Sequence, residues 1–359
     1  MSAGRGVCVV TGGAGFIGCA LSRSLREHFH RVIAFDNLHP QIHPTRMRPP
    51  ALHPDVELFQ HDVTDAAAWD TLLASVQPTV MIHLAAETGT GQSLTEARRH
   101  AEVNVVGTAV MLDALTRAGQ VPARFVLASS RAVYGEGAWR SREDRAIRYP
   151  GQRSRAQLAD GIWDFPGLEP VPASAAWTQP SPVSVYGATK LAQEHMLSSW
   201  AASFGTELVI LRLQNVYGPG QSLSNSYTGI LPLFCRIARE GTSIPLYEDG
   251  TMLRDFVFIE DVASALMQAV RIDTPPRQPV DIGTGGRASI SDVAHRIAHH
   301  YGAPVPHVCG KYRFGDVRHA ACDIEETTRG FGWRPRRGLE DGVATLAGWV
   351  ENELSGRAA

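Results

Sequence analysis

A glycine-rich stretch, Thr11-Gly12-Gly13-Ala14-Gly15-Phe16-Ile17-Gly18, follows an apolar run at 7–10 and opens a helical pattern over 15–28. No other feature constrains the fold as strongly. Gly13, Gly15 and Gly18 match G-x-G-x-x-G; Gly12, Gly15 and Gly18 match the G-x-x-G-x-x-G variant. Glycines permit the tight turn and let the backbone approach a pyrophosphate. The helix start supplies N–H donors and partial positive charge. A second apolar run, 31–35, ends at Asp36. A carboxylate there can bind the adenosine ribose hydroxyls and would repel a 2′-phosphate, so the expected cofactor is NAD, not NADP. Glycine-rich turns are common alone; the flanking strand, helix and acid make this one a dinucleotide site.

Further apolar runs at 56–59, 79–84 and 124–128 alternate with helical patterns at 66–75 and 94–118. Such alternation implies right-handed βαβ units and a parallel sheet. The expected fold is α/β, a Rossmann-type doubly wound parallel sheet over residues 1–213. A smaller C-terminal α/β substrate domain is expected over 214–359, with some segments returning to the sheet. A helix is expected at 184–203, a strand at 207–213, and further helices at 259–271 and 289–301. The stretch 136–182 breaks the rhythm and shows no clear period. It reads as a long surface excursion where an active-site loop would emerge.

Composition narrows the function classes. Hydrophobic residues make up 44% and charged residues 19%, which excludes global disorder. A net charge of −2 argues against a nucleic-acid partner held by bulk positive charge. The five cysteines (Cys8, Cys19, Cys235, Cys309, Cys322) form no Cys-x-x-Cys pair and suit reduced thiols in the cytoplasm. No apolar run approaches the roughly 18 residues of a membrane span, and the first residues lack the apolar core of a secretion signal. Of 34 Lys and Arg residues, only Lys190 and Lys311 are lysines, which singles out any lysine near a motif.

Tyr186 and Lys190 stand at i and i+4 on a helical pattern. A nearby ammonium would favour phenolate and lower the Tyr186 pKa. Ser129 and Ser130 follow the run at 124–128, at the strand end where parallel sheets bind ligands. A hydroxyl there can donate to a substrate oxygen. His295 and His299, with His300 and His307 nearby, lack an acid or cysteine at ligand spacing, so no metal site is expected. Arg140, Arg142, Arg145, Arg148, Arg153 and Arg155 either attract an anionic diphosphate or form a solvated loop broken by Glu143 and Asp144. Trp139, Trp163 and Trp177 either stack on a base or sugar or anchor the loop.

Together these residues resemble the extended short-chain dehydrogenase/reductases, specifically the NAD-dependent sugar-nucleotide epimerase/dehydratase family. The resemblance runs from Thr11 to about Trp333. Its parts come in the family's order: the glycine turn, Asp36, His61-Asp62-Val63, His83-Leu84-Ala85-Ala86, Asn104, Ser130, Tyr186 with Lys190, Asn215-Val216-Tyr217-Gly218-Pro219-Gly220, Arg254-Asp255-Phe256 and Gly315-Asp316. It implies a catalytic set of Ser130, Tyr186 and Lys190. It implies cofactor contacts from Gly12, Gly15, Phe16, Ile17, Gly18, Asp36, Asn37, Asp62, Val63, Leu84, Ala85, Ala86, Asn104, Tyr186 and Lys190. Among these, Asp62 meets the adenine and Lys190 the nicotinamide ribose. It also implies contacts to a nucleotide-sugar substrate from Glu87, Thr88, Ser130, Arg131, Asn215, Arg254 and Arg313. Asn215, Arg254 and Arg313 would hold its diphosphate, for which arginine's planar fork is suited. Relatives pair the helices at 94–118 and 184–203 across a two-fold axis, implying a homodimer through a four-helix bundle. The alternative is that their apolar stripes (Val103, Val106, Val110, Leu112; Leu191, Met196, Trp200) only face the sheet.

Family members that are 4,6-dehydratases carry Thr-Asp-Glu before Val-Tyr-Gly. Here those positions are Ser130-Arg131-Ala132, without an acid to drive elimination of water. Redox chemistry at one carbon remains: C4 epimerisation of a nucleotide-activated hexose through a 4-keto sugar. Three stretches, 36–43, 87–93 and the insertion around 150–158 and 168–172, resemble the branch that converts dTDP-L-rhamnose to dTDP-6-deoxy-L-talose, in deoxysugar and polysaccharide biosynthesis. Relatives carry a Cys pair in that insertion; this chain has none there. Epimerases of the UDP-glucose or UDP-glucuronate type, a 4-ketosugar reductase and a non-catalytic dinucleotide sensor stay open.

Overall fold

The computed structural model describes residues 6–223 and 229–356. The first half forms β1 (Val7–Thr11), α1 (Phe16–His28), β2 (Arg31–Phe35), β3 (Glu57–Phe59), α2 (Ala66–Leu73) and β4 (Val80–His83). The next helix, α3, joins Ala97–Ala101 to Gly107–Arg117 through a π-helical turn, Glu102–Val106. Then come β5 (Arg124–Ser130), α4 (Val185–Phe204), β6 (Glu207–Leu213), α5 (Ile230–Arg239), α6 (Ile259–Arg271), β7 (Val280–Ile282), α7 (Ile290–Tyr301) and α8 (Leu339–Leu354).

The seven strands pair in parallel in the order β7-β6-β5-β4-β1-β2-β3. This is the doubly wound α/β fold. Alternation along β1 shows why both faces are covered. Cys8 and Val10 point into one core with Leu21 and Leu25 of α1 and Val262 and Leu266 of α6. Val9 points into the other, with Trp69 of α2, Met111 and Leu115 of α3 and Leu197 of α4. Strand order reverses between β1 and β4, opening the crease in which ligands of such sheets bind. A separate core joins α5, α7 and α8, through Leu231, Phe234, Ile290, Val293, Ile297, Leu346 and Val350. β7 pairs with β6, so the chain returns to the sheet after α5 and α6 and then goes back to the second lobe for α7 and α8. Among the described residues, no helix is long and apolar enough to cross a membrane.

Two elements depart from the sequence reading. The stretch 136–182 runs over the surface in large part, as expected, but it is paired and anchored rather than irregular throughout. Trp139–Ser141 pairs antiparallel with Ile147–Arg148 and Leu168–Pro170. Buried Arg153 grips Glu248 of the second lobe with two hydrogen bonds of 2.8 Å. Arg318 reaches Glu248 at 3.1 Å, Asp249 at 2.7 Å and Asp164 at 2.9 Å. Buried charges anchor this segment, and hydrophobic periodicity cannot register them. Trp139 is buried edge-on against Phe165 at 4.9 Å and so anchors the segment. Arg145 and Arg148 pair with Glu169 and Asp144, so the arginines form no free cationic patch. The second departure is α5. No helix was expected there; Pro232 is compatible with one because it occupies the first helical turn, where its missing N–H costs nothing.

Candidate active site

The glycine turn lies over the crease. Gly12 has φ +66°, and a Cβ there would come within 2.7 Å of the Ala85 nitrogen. A Cβ on Gly18 would meet the Gly13 carbonyl oxygen at 2.4 Å, so this glycine lets α1 press on its own turn. Gly15 differs: its nearest neighbour would be the Gly12 oxygen at 3.2 Å, and the rest of its surroundings are open. Among the described residues, no side chain caps α1 at Gly15. The first N–H groups of the helix therefore face this open side, which fits a pyrophosphate. Phe16 and Ile17 turn their side chains into the cores and can offer only backbone here.

Asp36 accepts from the Ala14 N–H at 3.0 Å and the Leu38 N–H at 2.9 Å. It thus shapes the turn. Asp62 accepts from Asn37 at 2.7 Å and from the Thr64 N–H and hydroxyl at 2.9 and 2.7 Å. Burial pushes the Asp62 carboxyl up, but these donors outweigh it and hold the group below its usual range. Val63 lies beneath Gly107, where a Cβ would meet it at 2.8 Å. Leu84, Ala85 and Ala86 follow β4, and the Leu84 N–H donates to the Thr11 carbonyl at 3.0 Å. The glycine turn, Asp36 and the Asp62 pocket thus suit a dinucleotide.

Asn104 does not present a free amide. The π-helical turn brings it inward. Its Oδ1 accepts from the Glu87 N–H at 2.7 Å, and its Nδ2 donates to the Glu87 carbonyl at 3.0 Å and Thr189 Oγ1 at 2.9 Å. It clasps the segment after β4. Arg99 holds the same segment from outside, reaching Glu87 at 2.8 Å and Gln41 at 3.0 Å. His100 bridges the Thr88 carbonyl, 3.3 Å away, to the Tyr186 ring, 6.5 Å between centroids. A Cβ on Gly315 would meet Leu94 at 3.4 Å and Gln152 at 3.7 Å, so the loop after β4 meets the insertion at this point.

Ser130 ends β5, and Tyr186 lies in the first turn of α4, which Ser184 caps by accepting from the Gly187 N–H at 3.0 Å. Burial raises the Tyr186 hydroxyl above its ordinary value; the neighbouring Ser130 hydroxyl and the charge of Arg131 pull the other way. This corrects the expectation that Lys190 lowers the Tyr186 pKa. Lys190 is buried and turns its ammonium inward to Gln193 Oε1 at 2.5 Å. Burial draws its own pKa down to about 7, against the pull of Glu194.

On the second lobe, Asn215–Tyr217 pairs with Phe256–Phe258, and Leu253–Arg254 pairs with His319–Ala320. These short strands bring Asn215 and Arg254 to the mouth of the crease. Arg254 rests its guanidinium on the carbonyls of Leu253 and Val317, both at 2.8 Å. Arg131 donates to the Gly135 carbonyl at 2.8 Å. Burial and the charge of Arg254 lower Arg131 to about 10, while Glu136 and Tyr186 oppose the fall. Burial raises the Asp316 carboxyl, with Arg254 and Arg313 opposing. Arg313 lies 5.1 Å over the Tyr247 ring. Asn215 Oδ1 is buried without a hydrogen-bond partner among the described residues. Arg131 stands beside Tyr186 and Arg254, and Asp316 stands beside Arg254 and Arg313; planar guanidiniums of this kind suit a diphosphate.

Residues 8–155 and 165–283 match the family described as NAD dependent epimerase/dehydratase. The chain belongs to that family. A family relative, dTDP-L-rhamnose 4-epimerase of Burkholderia thailandensis, is 58% identical over 96% of this chain and 95% of its own length. UDP-glucose 4-epimerase of Thermotoga maritima, solved with UDP-glucose, superposes with a TM-score of 0.80 at 25% identity, covering 97% of this chain and 99% of that one. The Thermus thermophilus enzyme, solved with NAD, gives 0.77 at 26% identity over 96% and 99%. Sequence reasoning about this family member missed Arg99, Gln193 and the Glu194–Arg212 pair, and quoted His83 without giving it a role. Gln193 and Glu194 carried one available signal, standing three and four residues after Lys190 and so one turn along its helix.

Proposed function

We propose that the protein epimerises C4 of a nucleotide-activated hexose, with dTDP-L-rhamnose as substrate and dTDP-6-deoxy-L-talose as product. What carries this reading is the placement of Ser130 at the end of β5 beside Tyr186 in the first turn of α4, with the Arg131 charge next to both and Arg254 next to Arg131. The Burkholderia thailandensis relative supports the choice of sugar.

NAD, when bound, supplies the hydride acceptor and donor that exchange at C4 requires. The chain's own groups do the rest. Tyr186 Oη takes the proton of the 4-hydroxyl and returns it. Ser130 Oγ donates to the same oxygen and holds it in place. Arg131 lowers the cost of a phenolate at Tyr186. Lys190 holds the nicotinamide ribose. Arg254, Arg313 and Asn215 bind the diphosphate, so binding energy remote from C4 fixes the sugar. Glu87 and Thr88, fixed by Arg99, Asn104 and His100, line the sugar side. The active form is a homodimer joined through α3 and α4, where Val106 and Phe204 stay exposed. Leu112 is not part of that face, since it is buried in the sheet core. The free cysteines fit a reducing cytoplasm.

Incubation with dTDP-L-rhamnose, followed by proton NMR, tests the reading. The expected product shows a changed H4 coupling with no net cofactor use. Turnover of a UDP-hexose alone would overturn the choice of sugar. Stoichiometric consumption of NADH would make the protein a ketosugar reductase. Sedimentation at micromolar concentration should show a dimer.

A further inference from the structure

Behind the site runs a buried ladder of polar side chains that the epimerisation does not use directly. Lys190 Nζ lies 2.5 Å from Gln193 Oε1. Gln193 Nε2 lies 2.9 Å from Thr108 Oγ1 and 3.0 Å from His83 Nε2. His83 Nδ1 lies 2.6 Å from Thr11 Oγ1, which also accepts from the Ala85 N–H at 3.2 Å. Thr108 Oγ1 donates to the Asn104 carbonyl at 2.6 Å. Thr11, His83, Thr108 and Gln193 are wholly buried, and Lys190 nearly so.

The donors favour one arrangement. An ammonium has only donors, so the Gln193 atom facing Lys190 is the carbonyl oxygen. The amide nitrogen then faces His83 and Thr108. Thr108 has committed its hydrogen to Asn104 and accepts. His83 Nε2 lies 3.0 Å from both the Gln193 amide nitrogen and Thr108 Oγ1; accepting from the amide leaves the ring proton on Nδ1, donating to Thr11, whereas the opposite tautomer would set an Nε2–H against the amide's second hydrogen. A neutral ring is required throughout, and burial together with the charge of Lys190 brings His83 down to about 3. The bonds run in one direction, from Lys190 to the β1–β4 crease, and polarise one another.

We propose that Gln193, its amide locked by neutral His83, is a positioning residue that aims the Lys190 ammonium and favours its charged form. This rests on the epimerase reading only in giving Lys190 a task; the contacts stand without it. The titratable groups facing Lys190 are His83 on β4 and Glu194 on its own helix. Neither can replace Gln193, since His83 is neutral and Glu194 is held by Arg212.

The scarcity of lysine makes the test clean. Protein labelled with 13Cε-lysine gives two signals, and Lys311→Arg assigns them. Gln193→Met removes the acceptor, so the Lys190 midpoint moves to lower pH than in the unaltered protein. Gln193→Glu supplies a carboxylate, so the midpoint moves to higher pH. An unchanged midpoint in both, or shifts of the same sign, would overturn the proposal. Gln193→Met is also expected to lower kcat about tenfold with KM for the sugar little changed. A loss confined to KM would count against it. Should Gln193→Met fail to fold, 15N shifts of His83 in the unaltered protein still decide. They must show Nδ1 protonated and Nε2 bare at neutral pH, and the reverse tautomer refutes the ladder. The lysine signal is read whether or not a sugar is turned over, so a failed epimerase assay overturns the function and leaves this inference standing.

Discussion

Arg212 on β6 clasps Glu194 on α4 through Nη2–Oε2 at 2.7 Å and Nε–Oε1 at 3.0 Å, with the side chains only 6% and 5% exposed. Ser129 donates to the same carboxylate at 2.5 Å. Arg212 also donates to the Tyr134 hydroxyl at 3.0 Å, which donates to Asp281 of β7 at 2.8 Å. The pair thus ties α4 to three strands. Glu194→Gln strands a buried guanidinium and should cost about 3–5 kcal/mol. Replacing both partners by methionine should cost less than the single change. Urea denaturation reads both, and a Glu194→Gln protein within about 1 kcal/mol of the original would sink the idea.

Lys190→Arg should keep the fold and lose most activity. The guanidinium is larger and planar, and cannot occupy the compact site facing Gln193 Oε1 at 2.5 Å. Overpacking should cost about 1–3 kcal/mol. Turnover should fall about a hundredfold. Near-normal kcat in this variant would refute the assignment.

Gly15 and Gly18 should respond differently to alanine. A Cβ at Gly18 meets backbone at 2.4 Å, so Gly18→Ala should lower the melting temperature sharply. At Gly15 the protein itself leaves room but for the Gly12 oxygen at 3.2 Å. Gly15→Ala should melt close to the original and bind NAD about tenfold more weakly. Calorimetry of NAD binding checks this; unaltered affinity would remove Gly15 from the pyrophosphate site.

His83 makes stability depend on acid. Its folded pKa is about 3, against 6.5 for the ordinary side chain. The unfolded chain therefore takes up the proton first, and stability is lost as pH falls from 6.5 toward 3. Between pH 7 and pH 5 this group alone should cost about 2 kcal/mol. Denaturation of the original and of His83→Gln at both pH values isolates the contribution. Equal losses in the two proteins would refute it.

Tyr186→Phe should leave the melting temperature nearly unchanged and lower kcat by about 10²–10⁴, the range of a lost general base. Retained turnover would assign proton transfer to another group.

The parallel sheet, its strand-to-helix rhythm and the dinucleotide crease were legible because each rests on local signals. Arg31–Phe35, Glu207–Leu213 and Ile259–Arg271 have the boundaries expected of them. The π-helical turn was not legible, since no local pattern separates Asn104 facing inward from an ordinary helical position. The anchoring of the insertion was not legible either, because Arg153 and Glu248 lie 95 residues apart.

The sequence by itself determined where glycine must be, which carboxylate closes β2, and that a tyrosine and a lysine share one helical face. Those are properties of neighbours along the chain, set by backbone sterics and side-chain period. Only the tertiary structure decided where Lys190 points. Burial takes water from its ammonium, and the nearest acceptor is Gln193, whose amide is turned by a histidine from β4 that is 110 residues away. Arg131 became the cation beside Tyr186 for the same reason: the two lie 55 residues apart, and folding, not spacing, sets which charges meet in a dry site.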